Sequence, residues 1–149
     1  MFAALKRLLD TPATQPVHDL RLSVAVLLLE AARQDDTFDA HEREMIEHLL
    51  TKRFDLSHEE CATLITAAAA RASQMVQIHG HTSQVAAEMT PDDRIHLIEM
   101  LWDVAYADGV LDPEEDLLIR RIASLIYVGD RDRVLARQRV LARRQQQGK

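Results

Sequence analysis

Residues 105–115, "AYADGVLDPEE", set Asp108, Asp112, Glu114 and Glu115 around one glycine and one proline. Residues 32–42, "ARQDDTFDAHE", carry Asp35, Asp36, Asp39 and Glu42 at an offset of 73 from the later stretch. Both follow A-x-x-D-[D/G]-x-[L/F]-D-x-x-E. Carboxylate oxygens at this density suit a hard divalent cation, Ca²⁺ or Mg²⁺, and the single cysteine, Cys61, leaves no soft thiolate cluster to compete. An EF-hand is the first comparison and it fails. With Glu115 at position 12 of such a loop, positions 1 and 3 are Val104 and Tyr106, and in the earlier copy they are Ala31 and Arg33.

Helix capping accounts for part of the phrase without any ligand. Asp39 and Asp112 are expected N-caps, and Glu42 and Glu115, three residues on, complete capping boxes near the positive end of the helix dipole. Gly109 suits the left-handed residue that follows a helix. Asp35 and Asp108 do not fit, because each falls at the C-terminal end of a helix, where a negative charge costs about 0.3–1 kcal/mol. Each therefore needs a partner: a hard cation, a nearby Arg or His, or the free N–H groups of the next helix.

Other constellations are weaker. His41, Glu44 and His48 share a helix face but lack the H-E-x-x-H spacing of a zinc site, so they read as solvated. Cys61, at helical spacing with Leu64 and Ile65, reads as buried and inert. His79-Gly80-His81 reads as a helix end, and Trp102 and the methionines as core. There is no nucleophile elbow, P-loop or dinucleotide fingerprint.

The elements that carry these groups announce their starts. Ser57 with Glu60 has the form of a capping box, Thr90-Pro91 and Asp112-Pro113 place a cap before a first-turn proline, and Asp130 follows Gly129. Apolar stripes follow each start, and 20–32 is apolar on nearly every side, as a central buried helix would be. The expectation is an all-α domain with main helices at about 19–34, 40–53, 58–79, 91–107, 113–126 and 130–144. A further short helix is expected near the N-terminus and a loop at 80–89. Met45, Ile46 and Leu49 match Leu118, Ile119 and Ile122 at the offset of 73, which predicts two pseudo-symmetric helical hairpins joined at the acidic phrases.

A chain of 149 residues suits a single domain, with 47 % apolar and only 4 % aromatic residues favouring helix. Charge is uneven: residues 1–129 hold 11 Lys/Arg against 22 Asp/Glu, and residues 130–149 hold 7 against 2. The acidic body argues against nucleic acid as a partner. The basic tail has the poorest apolar stripe and is expected to be solvated, leaving a core of about 20–129 that folds without it. The first ten residues interrupt their apolar positions with Lys6, Arg7 and Asp10, and the longest apolar run is far too short to span a bilayer, so a cytoplasmic protein is expected.

At "LWDVAYADGVLDPEEDLLIRRIASLI" the chain resembles the TerB family of tellurite-resistance proteins, whose domain also precedes the J domain in DjlA-type co-chaperones. The resemblance runs over roughly residues 20–145 and includes both acidic phrases. It implies an all-helical, pseudo-symmetric domain with a divalent-metal site, carried over to Asp35, Asp39, Glu42, Asp108, Asp112 and Glu115. The first copy departs from the pattern, with Asp36 where glycine is usual and His41 beside the glutamate. A J domain's H-P-D tripeptide is missing. The implied function is a non-enzymatic binding module of stress or metal-ion response, working through protein partners. Two other readings stand beside it: a metal-dependent hydrolase using the same carboxylates, and an architectural protein whose basic tail docks on an anionic surface. Monomer and homodimer both remain open.

Overall fold

The structure is a computed structural model that describes residues 20–32, 40–72, 78–107, 109, 111 and 113–147. Those residues form seven helices and no strand. In chain order they are α1 (Leu20–Ala32), α2 (Ala40–Phe54), α3 (His58–Ala72), α4 (Ile78–Glu88), α5 (Pro91–Ala105), α6 (Pro113–Leu125) and α7 (Asp130–Gln147). The protein is all-α, as the composition requires. The short helix expected near the N-terminus lies outside the described residues.

The caps work as their residues imply. Thr90, extended at φ −67° and ψ 161°, accepts the Asp93 N–H at 3.2 Å, and Pro91 occupies a first-turn position whose N–H has no helical partner anyway. At α3 the box is reciprocal: the Ser57 N–H donates to the Glu60 carboxylate at 2.8 Å and the Glu60 N–H donates to Ser57 Oγ at 3.1 Å. Those Ser57 bonds hold the Glu60 carboxyl below its ordinary range.

The ends of α2 and α6 are alike. Asp55 (φ 53°) and Tyr127 (φ 63°) sit in the left-handed region, and the next residue's N–H reaches back five residues, Leu56 to Thr51 at 3.2 Å and Val128 to Ala123 at 2.8 Å. Both are Schellman-type closures, and each sends its following apolar residue, Leu56 or Val128, into the core.

Burial repeats with the sequence. Ile46 matches Ile119, both fully buried, and half-buried Met45 matches half-buried Leu118. Packing repeats as well: α1 lies on α2 and α3 as α5 lies on α6 and α7, while α1 and α5 pack on each other. Helix α1 is buried from Leu22 to Leu29, as its all-round apolar sequence predicts, and α5 contributes Leu97, Ile98, Met100, Leu101 and Trp102 to the same core.

Two expectations are overturned. Residues 80–89 are not a loop; α4 spans nearly all of them and packs on α1 and α6, with Gly80 inside the helix rather than ending one. Its inward face is polar. His81, Thr82 and Gln84 are buried, and Ser23 Oγ lies 2.9 Å from both His81 Nδ1 and Gln84 Oε1. Burial, and secondarily the nearby Arg71 charge, pushes the His81 imidazole pKa down.

The basic tail is not solvated either. Helix α7 packs along α5, with Ala136 and Val140 fully buried. Arginines make up part of its inward side. Arg133 is only 8 % exposed, and Arg137 lies over Trp102 at 5.2 Å and over Tyr106 at 6.0 Å while its Nε donates to Tyr106 Oη at 2.8 Å. Arg139 and Arg143 bind Glu99 at 3.1 and 2.7 Å, and Arg143 also reaches Asp103 at 3.3 Å. A stem-and-plane side chain such as arginine packs well without contributing to an apolar stripe.

Candidate functional site

Of the six acidic residues singled out by the sequence, the structure describes Glu42 and Glu115. Asp35, Asp39, Asp108 and Asp112 lie outside the described residues, as does Asp36. Glu42 stands in the first turn of α2 and Glu115 in the first turn of α6, three residues after the expected caps. They are 2 % and 6 % exposed, while the neighbouring Arg43 and Glu114 face solvent.

Two carboxylates withdrawn from water at equivalent positions need compensation, since an isolated buried charge costs many kcal/mol. Each has a partner, and the positive end of its helix favours its charge. Upstream of α6, Gly109 adopts φ +88°, and its N–H donates to the Tyr106 carbonyl at 2.9 Å, so the chain leaves α5 by the left-handed step its glycine suggested.

Helices α2 and α6 do not pack extensively on each other; α2 lies on α1, α3 and α5, and α6 on α1, α4, α5 and α7. Among the described residues no three His, Cys, Asp or Glu side chains assemble into a metal-binding group. Oxygen donors such as Glu42 and Glu115 fit a hard cation, but each pole needs further donors, for which the four aspartates are the sequence's candidates.

The remaining residues singled out have plain roles. His41, Glu44 and His48 are exposed, as expected of solvated side chains. Cys61 is buried, and its thiol donates weakly to the Glu47 carbonyl at 3.7 Å. Trp102 is fully buried in the core.

The sequence reading missed a groove of about 520 Å³ between α2, α5 and α7. Met45 and Leu49 give it apolar surface over the buried Met100; Lys52, Arg53 and Arg144 give it positive charge. Asp103 also lines it, and burial raises the pKa of that carboxyl against the pull of Arg143 and Arg144. The signal is legible only after folding, because the groove draws on residues 45–53, 96–103 and 143–144.

An all-helical fold with repeated halves and a buried glutamate at each repeated helix start is the setting in which the family comparison falls. The chain belongs to the tellurite resistance protein TerB family, whose model matches residues 21–138. That span takes in both central helices, both buried glutamates and the first half of α7. No curated protein and no solved structure matches the chain. Among the described residues, no helix is long and apolar enough to cross a membrane.

Proposed function

We propose that this TerB protein is a non-enzymatic binding module of the response to stress or toxic metal ions. It acts in the cytoplasm through protein partners, with Ca²⁺ or Mg²⁺ at its acidic helix junctions. The observation that carries the reading is the pair Glu42 and Glu115, the same carboxylate withdrawn from water twice, 2 % and 6 % exposed, where the sequence repeats itself. Glu42 would hold the cation at one pole with Asp35 and Asp39, and Glu115 at the other with Asp108 and Asp112. A bound cation would supply positive charge to these crowded carboxylates and so set the junction that joins each central helix to the next.

Calorimetric titration of the full chain with millimolar Ca²⁺ and Mg²⁺ tests the reading, alongside thermal melts. Binding to the folded state alone stabilises by about 2.7 kcal/mol at a hundredfold excess over Kd, so the melting temperature climbs with metal. Glu115→Gln and Asp108→Asn should each weaken the heat and the shift. No heat and no shift with either metal would reduce the acidic phrases to capping devices.

A further inference from the structure

The pseudo-symmetry exposes an imbalance. In one half, α4 lies in a seat formed by α1 and α6 and is anchored by Ser23 to His81 and Gln84. The offset of 73 carries Ser23, Leu27 and Glu30 of α1 onto His96, Met100 and Asp103 of α5. It carries Leu118, Arg121 and Ile122 of α6 back onto Met45, His48 and Leu49 of α2. All six of those counterparts line the 520 Å³ groove. The groove is therefore the matching helix seat of the other half. The difference shows in burial: Ile122 is fully covered, whereas its counterpart Leu49 is only partly so.

The seat carries more positive charge than its counterpart, which has Arg71 and Arg121. Leu125 and Ile126, 73 residues after Lys52 and Arg53, give way to those two cations, and α7 adds Arg143 and Arg144. Arg143 is committed to Glu99 and Asp103. Arg53 meets Asp93 at 3.4 Å through Nη2, but its Nε is buried without a hydrogen-bond partner. Lys52 and Arg144 have no ion pair within 4.0 Å among the described residues. In a chain of net charge −6, this is a cationic rim around apolar surface.

We propose that the groove seats an amphipathic helix from a partner protein. The helix lays an apolar stripe on Met45 and Leu49, above the buried Met100, and sets acidic residues along its flanks against Lys52, Arg53 and Arg144. The proposal rests on the binding-module reading and gives it a surface and a partner chemistry. Apolar contact supplies the adhesion and the charge pattern the selection, as in other helix-in-groove recognition. The offset of 73 sets residues 5–15 of the chain opposite α4, but with Lys6 and Arg7 against Asp10 they match the cationic rim poorly in charge.

The test uses the full chain and two synthetic helical peptides of about 15 residues. Both carry leucines at i, i+3, i+4 and i+7 spacing; one has glutamate flanks and the other lysine. Binding is read from the ¹³C-methyl signals of Met45 and Met100 and from calorimetry. The glutamate peptide should move both signals and bind at least about tenfold tighter than the lysine peptide, and the K52E/R144E double variant should reverse that order. Equal binding of the two peptides, no binding, or shifts confined to other methionines would overturn the proposal. So would concentration-dependent shifts of Met45 and Met100 without peptide, which would assign the seat to a second copy. A spin label at L5C in a C61A background that broadens Met100 without peptide would assign it to the chain's own N-terminus, with the same consequence. A parallel pull-down from native cytoplasm separates this failure from that of the module reading. Partners retained equally by K52E/R144E would sink the groove alone, whereas no partner for either form would sink the module.

Discussion

Arg137→Ala is the sharpest test of whether α7 belongs to the core. The guanidinium lies 5.2 Å from the Trp102 ring centre and 6.0 Å from that of Tyr106, and its Nε donates to Tyr106 Oη at 2.8 Å. A partly desolvated cation–π contact contributes about 1–2 kcal/mol. A hydrogen bond from a charged donor contributes about 1.5–3 kcal/mol. One group makes both contacts, so the two do not simply add, and the expected loss is about 2–4 kcal/mol. That is a large share of the roughly 5–15 kcal/mol that holds a domain together. Arg137→Lys keeps the charge but loses the planar face and the Nε donor, and should recover no more than about half of the loss. Trp102 is the sole tryptophan, so its fluorescence reports urea unfolding at the site itself. A chain ending at Gly129 should fare worse, since it bares Trp102 and removes the fully buried Ala136 and Val140. If Arg137→Ala shifts stability by less than about 0.5 kcal/mol, the range of an ordinary surface change, then α7 is an appendage and the packing argument fails.

Two further outcomes follow from the geometry. The His81 pKa is depressed in the folded state, so the unfolded chain takes up a proton first on acidification. Stability should be complete above the ordinary histidine value of about 6.5 and decline as pH falls below it; His81→Leu should flatten that decline in urea midpoints compared at pH 7.5 and 6. Tyr127 holds φ 63° and is 79 % exposed, so Tyr127→Gly relieves backbone strain while surrendering little burial; the thermal midpoint should rise, corresponding to about 0.5–1 kcal/mol, and a fall would refute the strain argument.

What could be read from the sequence was whatever announces itself through apolar spacing or a capping residue. Helix α1 was legible because its residues are apolar all round, the start of α3 because Ser57 is a cap residue with Glu60 three residues on, and that of α5 because Thr90 is a cap residue followed by proline. Helix α4 was hidden because its inward face is His81, Thr82 and Gln84, which bury only by bonding within the fold, two of them to Ser23 some 60 residues away in sequence. Helix α7 was misread as solvated because Arg133 and Arg137 occupy inward positions that a hydrophobicity count scores as surface. The closures at Asp55 and Tyr127 were silent too, since neither residue is the glycine that marks a left-handed end. For the candidate site, the repeated phrase pointed to Glu42 and Glu115 correctly as helix-start residues. The groove could not be read at all, because its apolar floor and its charges come from three separate helices.

The two outer helices of this near-symmetric body grip their central partners by different physics. Helix α3 holds α1 through Cys61, Ile65 and Ala68, whereas α7 holds α5 with arginines against Trp102, Glu99 and Asp103. Apolar adhesion weakens on cooling, while the dehydration penalty of ion pairs shrinks on warming. Chill therefore loosens the α3 flank first, and heat favours the arginine flank relative to it. Added salt screens the exposed arginine pairs and leaves the apolar contacts intact. One doubled scaffold thus has a weak side that changes with the conditions around it.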